Sequence, residues 1–120
     1  MYADQFESRL AKIRHRFATT LESKITDVVI STDRMSRGEG GAIKDLSESY
    51  RHLHNICGIG PTVGFTTTSD AALAAEVALT RAYHERRGLT EAEVLNLKKA
   101  LGRLRVAATA ELRLMYQRGG

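Results

Sequence analysis

A single cysteine and a single proline occur in the chain. Cys57 alone cannot close an intramolecular disulfide, so no covalent staple is available to the fold. No apolar run is long enough to cross a bilayer, and the opening Met1-Tyr2-Ala3-Asp4 lacks the pattern of a signal peptide. These absences predict a cytoplasmic protein with no membrane partner. Alternation of the kind strands show is missing, as are internal repeats and low-complexity tracts. Charge of one sign is also scarce: 18 Lys and Arg against 14 Asp and Glu give a formal +4. Arg14, Arg16, Lys98, Lys99 and Arg103 are scattered among acids with no interleaved aromatics, which argues against a nucleic-acid partner. A mild positive excess favours encounter with an acidic protein surface instead.

What the chain does have is helical periodicity. With 120 residues, 42% of them hydrophobic, it suits one domain with one core. Phe6, Leu10, Ile13, Phe17, Leu21, Ile25 and Val28 recur every three or four residues and predict a long amphipathic helix from about Asp4 to Ile30. Ser31 to Gly41, with Gly38, Gly40 and Gly41, predicts a turn. Ile43, Leu46, Tyr50, Leu53 and Cys57 define a second stripe, expected to stop near Ile59 because Pro61 disfavours helical geometry in Gly60.

The hydroxyls of Thr66 to Ser69 are candidate caps for a third helix with an Ala-rich body from Ala71 to Ala82. Leu73, Val77 and Leu79 are its larger apolar groups, and Gly88 is expected to close it. Thr90 and Glu93 form a capping-box pattern that opens a fourth helix. Its apolar face continues through Val94, Leu97, Leu101, Leu104, Ala108, Leu112 and Met115. Gly102 within it costs about 1 kcal/mol against Ala. Four such stripes predict an all-α fold, an antiparallel up-down four-helix bundle.

The run from Arg51 to Phe65 carries the chemistry. Gly58 follows His54 by four residues, so on a helix a residue without a side chain stands one turn above an imidazole. Such a ring is reachable by a partner and can take up and return a phosphoryl group. Taking the stripe of the second helix to centre on Tyr50 and Cys57 places His54 about 60° from that centre, on the flank, with Gly58, Arg51 and Asn55 progressively further outward. His52 points to the other side and has Ile56 one turn on. His15 and His84 have no comparable surroundings. Gly58 to Gly64 neither follows a strand nor precedes a Lys-Ser/Thr pair, so no nucleotide loop is present and no kinase activity is expected.

His54, Ile56, Gly58, Val63 and Gly64 make this run resemble the signature of histidine phosphotransfer (HPt) domains, the phosphocarriers of multistep two-component relays. Cys57 stands where that family usually has Lys. The resemblance implies that residues 1–120 form a single HPt domain that is a phosphotransfer intermediate and not an enzyme with its own ATP site. It implies Nε2 of His54 as the phosphorylated atom, with Arg51, Asn55 and Gly58 in support and Ser47, Cys57 and Gly64 in docking. The implied partners are a receiver domain of a response regulator, a hybrid sensor kinase, or both. No cofactor of its own is implied, since Mg²⁺ belongs to the receiver, and a monomer is expected.

Blander readings compete. One histidine on one helix is commonly a half-buried polar residue satisfied by its neighbours, and Cys57 on the core stripe reads as a small buried hydrophobe. Metal binding by His52, His54 and Cys57 finds only two ligands on one face, where zinc wants three or four. The stronger alternative is an HPt-like interaction module that binds and inhibits a kinase or receiver without being phosphorylated.

Overall fold

The computed structural model describes residues 2–36 and 41–119; Gly38 and Gly40 of the expected turn lie outside them. Four helices, α1 (Tyr2–Ser36), α2 (Ala42–Ile59), α3 (Thr66–Glu85) and α4 (Glu91–Gln117), form an all-α bundle, with one 3-10 turn at Gly60–Val63. Among the described residues there is no strand. Each helix packs on two neighbours, in the cyclic order α1, α2, α3, α4, and among the described residues the backbones of the diagonal pairs do not approach closely. The Leu89 N–H donates to the Met35 carbonyl at 3.0 Å, so the end of α1 meets the start of α4. The Arg14 Nε–H donates to the Val63 carbonyl at 3.1 Å, tying the first half of α1 to the 3-10 turn that follows α2. Both links fit antiparallel neighbours. Leu21, Ile25, Leu46, Leu53, Ile56, Leu79, Leu97 and Leu104 are sealed in the shared core, each contributing about 1.5–3 kcal/mol by leaving water.

α1 runs six residues past the expected end at Ile30. Its stripe continues from Val28 through Thr32 and Met35, both buried. Thr32 escapes notice because it is polar, yet its hydroxyl donates back to the Val28 carbonyl at 2.9 Å, so its burial leaves nothing unsatisfied. At the other end the prediction overreaches. Phe6 is 66% exposed and Ile13 is exposed too. Thirty-five residues of helix span about 52 Å, the full long dimension of the molecule, which is 52 Å; the shorter helices leave the start of α1 uncovered.

α2 is rotated from its expected setting. Its buried residues are Ala42, Leu46, Ser49, Leu53 and Ile56, whereas Ile43 is exposed and Tyr50 and Cys57 are only partly buried. The chain leaves the helix at Ile59 as expected, but Gly60 itself keeps helical angles, φ −47° and ψ −51°. Lacking a Cβ, it escapes much of the clash that Pro61 imposes on the residue before it. The same missing Cβ lets α3 cross here. A Cβ on Gly60 would stand 2.9 Å from the Ser69 Cβ and 3.0 Å from the Phe65 carbonyl oxygen. The Ser69 hydroxyl then donates to the Cys57 carbonyl at 2.7 Å, closing the α2–α3 corner.

α3 buries Thr68, Ser69, Ala72, Ala75, Glu76, Leu79 and Ala82; Leu73 and Val77 are outside. Its first turn is not capped by the Thr66–Ser69 hydroxyls. The Glu111 carboxylate of α4 accepts from the Thr68 N–H at 2.6 Å instead. Arg86, in the left-handed region at φ 52°, closes α3 in place of Gly88. Thr90 and Glu93 do form the reciprocal capping box of α4, with bonds of 3.1 and 2.8 Å. No helix among the described residues is long and apolar enough to cross a membrane.

Candidate functional site

The rotation of α2 moves His54 outward. The buried residues centre the helix's inner face on the line through Ala42, Leu53 and Gly60, which puts His54 about 120° from it, not 60°. Its side chain is 70% exposed. Ser47, Arg51 and Gly58 fall within about 60° of His54 on the same outer strip of α2. Cys57 lies on the inner flank, partly buried against the core, and its thiol is free.

An exposed imidazole would ordinarily sample several orientations. Two neighbours restrict this one. Nδ1 of His54 lies 2.8 Å from Oε1 of Glu76 on α3, whose side chain is only 10% exposed. A carboxylate accepts, so Nδ1 carries the proton. In the neutral ring the lone pair is therefore on Nε2, the atom away from the carboxylate. Tyr50, one turn before His54, stacks near-parallel on the ring at 5.9 Å and 9°, and is itself stacked on Tyr83 of α3 at 4.1 Å and 2°. Burial, and then the neighbouring Glu76 carboxylate, push the Tyr50 phenol above its ordinary pKa. Glu76 thus serves two rings from one buried position.

One turn beyond His54 nothing covers the ring. A Cβ on Gly58 would meet no atom within 4 Å, so the fold itself does not require glycine there. Its contribution is open space outside the protein.

Gly58 also borders a groove of about 510 Å³ between α1 and α2, lined by Ile13, Arg16, Lys24, Asn55 and Thr62 among others. Asn55 does not point freely outward, contrary to the position that the Tyr50–Cys57 stripe predicts. It is half-buried, and its Oδ1 accepts from Lys24 Nζ at 2.6 Å. Burial lowers the Lys24 pKa. Cations from α1 therefore stand on the side of Gly58 away from Glu76, whereas Cys57 brings none.

No family model matches the chain, and neither does any curated protein or solved structure. Gly64 is exposed at φ 87° and caps the 3-10 turn, a backbone conformation that accounts for glycine without a docking role. It lines a separate cavity with Arg14 and Glu111. His52 faces Asp27 at 3.7 Å, away from His54. Among the described residues no three His, Cys, Asp or Glu side chains gather as a metal site needs.

Glu76 is absent from the motif-based reading. One signal for it was available: in the α3 sequence it is the sole acid on the Ala72, Ala75, Leu79, Ala82 face, where an unpaired charge is costly and a partner is implied.

Proposed function

We propose that this chain is a histidine phosphocarrier in which Nε2 of His54 accepts a phosphoryl group from one aspartyl phosphate and passes it to another aspartate. The observation that carries the reading is the His54–Glu76 contact made by a side chain that remains 70% exposed. The Nε2 lone pair attacks phosphorus, an N–P bond forms, and the P–O bond to the donor aspartate breaks, releasing its carboxylate. Nδ1 keeps its proton and the ring becomes cationic; Glu76, already bonded to that proton, stabilises the charge without reorganising. In the second half-reaction the acceptor carboxylate attacks phosphorus and the imidazole leaves. In-line alignment and neutralisation of the equatorial oxygens are tasks for the partner, a receiver domain with its Mg²⁺. The gap over Gly58 gives that partner room, and the exposed Ile13 and Arg16 of α1 extend the contact surface.

A binding-only module that inhibits a kinase or receiver is the second reading, and the missing cation at Cys57 favours it. One experiment separates the two. The protein and its His54→Gln variant are incubated with a panel of receiver domains carrying labelled aspartyl phosphate. A carrier gains acid-labile, alkali-stable label that the variant lacks; a module that only binds gains none in either form.

A further inference from the structure

Glu76 and Arg81 are five residues apart on α3, which places them about 140° apart around its axis. The first faces α2 and His54. The second faces α4, where an open groove of about 500 Å³ lies between the two helices. Ala74 and Ala78 of α3 and Ala100 of α4 line it, so between the longer side chains at its edges the groove has a strip of small residues on which a visiting helix can pack closely. Val77, 63% exposed, borders these alanines as an uncovered apolar edge.

The groove's charge is one-sided. Arg81, Lys99 and Arg103 line it, and the one carboxylate among the lining residues is Glu93. That carboxylate is already committed: the Arg87 guanidinium donates to its two oxygens at 2.7 and 3.0 Å, and the Thr90 N–H donates to one of them. Arg81 has only a loose 3.6 Å pairing with the exposed Glu85, worth little in water. Among the described residues, Lys99 and Arg103 have no ion-pair partner. They are one helical turn apart, and both are exposed.

We propose that the α3–α4 groove is a second docking surface, and that its occupant is an acidic amphipathic helix of a partner protein. Carboxylates one turn apart on that helix answer Lys99 and Arg103, and an apolar residue between them packs on Val77 and the alanines. A single nucleic-acid strand fits less well, because no aromatic lines the groove for bases to stack on. A lipid surface fits less well because the apolar part is concave. The groove lies across α3 from His54, so its occupant leaves the imidazole accessible, and the inference does not depend on whether His54 carries phosphate.

The test uses the full chain, ¹⁵N-labelled, and a synthetic helical peptide with Glu at i and i+4 and Leu toward the floor. A second peptide of the same composition has its Leu and Glu positions scrambled. The first peptide is expected to shift amides around Ala74–Arg81 and Asn96–Arg103, with an affinity that falls as salt rises. The double variant Lys99→Glu, Arg103→Glu should bind it about tenfold more weakly or worse, and should prefer a peptide with Lys in place of Glu. If that variant loses its helical circular dichroism, Lys99→Ser with Arg103→Ser replaces it, with weakened binding again expected. Equal binding of the scrambled peptide, no binding at low salt, shifts centred on α1 and α2, or indifference to these substitutions would each overturn the proposal. So would equal or tighter binding of phosphatidylserine vesicles or a single-stranded oligonucleotide through the same cations.

Discussion

His54 and Glu76 lie on different helices, yet the Nδ1 of one and the Oε1 of the other are 2.8 Å apart, with the imidazole exposed and the carboxylate buried. With the carboxylate accepting, the proton sits on the inner nitrogen, and in the proposed reaction the outer one is the nucleophile. Glu76→Ala should therefore slow phosphoryl uptake by roughly a hundredfold, within the range that positioned proton partners contribute. Glu76→Gln, whose amide oxygen still accepts from Nδ1, should fall between that variant and the native protein. Long-range ¹H–¹⁵N spectra of the ring check the cause: the native protein should show the Nδ1–H form, and Glu76→Ala a mixture of tautomers.

Gly58 should separate stability from transfer. Its Cβ would meet nothing, so Gly58→Ala should leave the fold intact and stabilise it by about 0.5 kcal/mol through helix propensity. Gly58→Leu should also fold, while its bulky group in the space over His54 should block the proposed receiver. Denaturant unfolding and transfer rates, measured on the same samples, should move in opposite directions.

Gly60 should behave in the reverse way. Gly60→Ala places a methyl against the Ser69 Cβ and the Phe65 carbonyl, neither of which can move without shifting α3. Destabilisation of about 1–3 kcal/mol is expected, visible as a lower denaturant midpoint.

At the α3–α4 corner the Arg87 guanidinium, with help from the Thr90 N–H, holds the Glu93 carboxyl down at about 2, against an ordinary value of 4.5. A carboxyl depressed on folding stabilises the protein fully above its unfolded pKa and loses that contribution as pH falls toward its folded one. Stability should therefore decline between about pH 4.5 and pH 2, and part of that decline should be missing in Glu93→Gln. Thermal melts of both proteins across this window provide the check.

Much of the bundle was legible because helices announce themselves by spacing. The Thr90–Glu93 box is a local pattern that needs nothing from the rest of the chain, and the stripe from Leu97 to Met115 is long enough to set its own phase. Failures came where polarity or size misled. Thr32 is polar but buried, so α1 seemed to end early. On α3 alanines take the interior while Leu73 and Val77 stay outside, since close helix approach there favours small side chains.

The candidate site was legible in part for a related reason. His54 and Gly58 are four residues apart in sequence, so their juxtaposition follows from helix geometry alone. Glu76 is 22 residues from His54, and the Lys24–Asn55 bond joins residues 31 apart. No local rule reaches either. Tyr50 and Cys57, the groups that suggest the centre of the α2 stripe, lie to one side of it, and the small Ala42 and Ser49 share the centre with Leu46, Leu53 and Ile56. That centre carries His54 further into solvent.

The proposed carrier holds phosphate on one nitrogen of one histidine. The most direct measurement is the ³¹P and ¹⁵N spectrum of the protein after reaction with a phosphorylated receiver domain. A single phosphohistidine, bonded through Nε2 of residue 54 with Nδ1 still protonated, is the predicted result. A spectrum with no phosphohistidine after reaction with every receiver tested, or phosphate on Nδ1 or on another residue, would rule out transfer through Nε2 of His54.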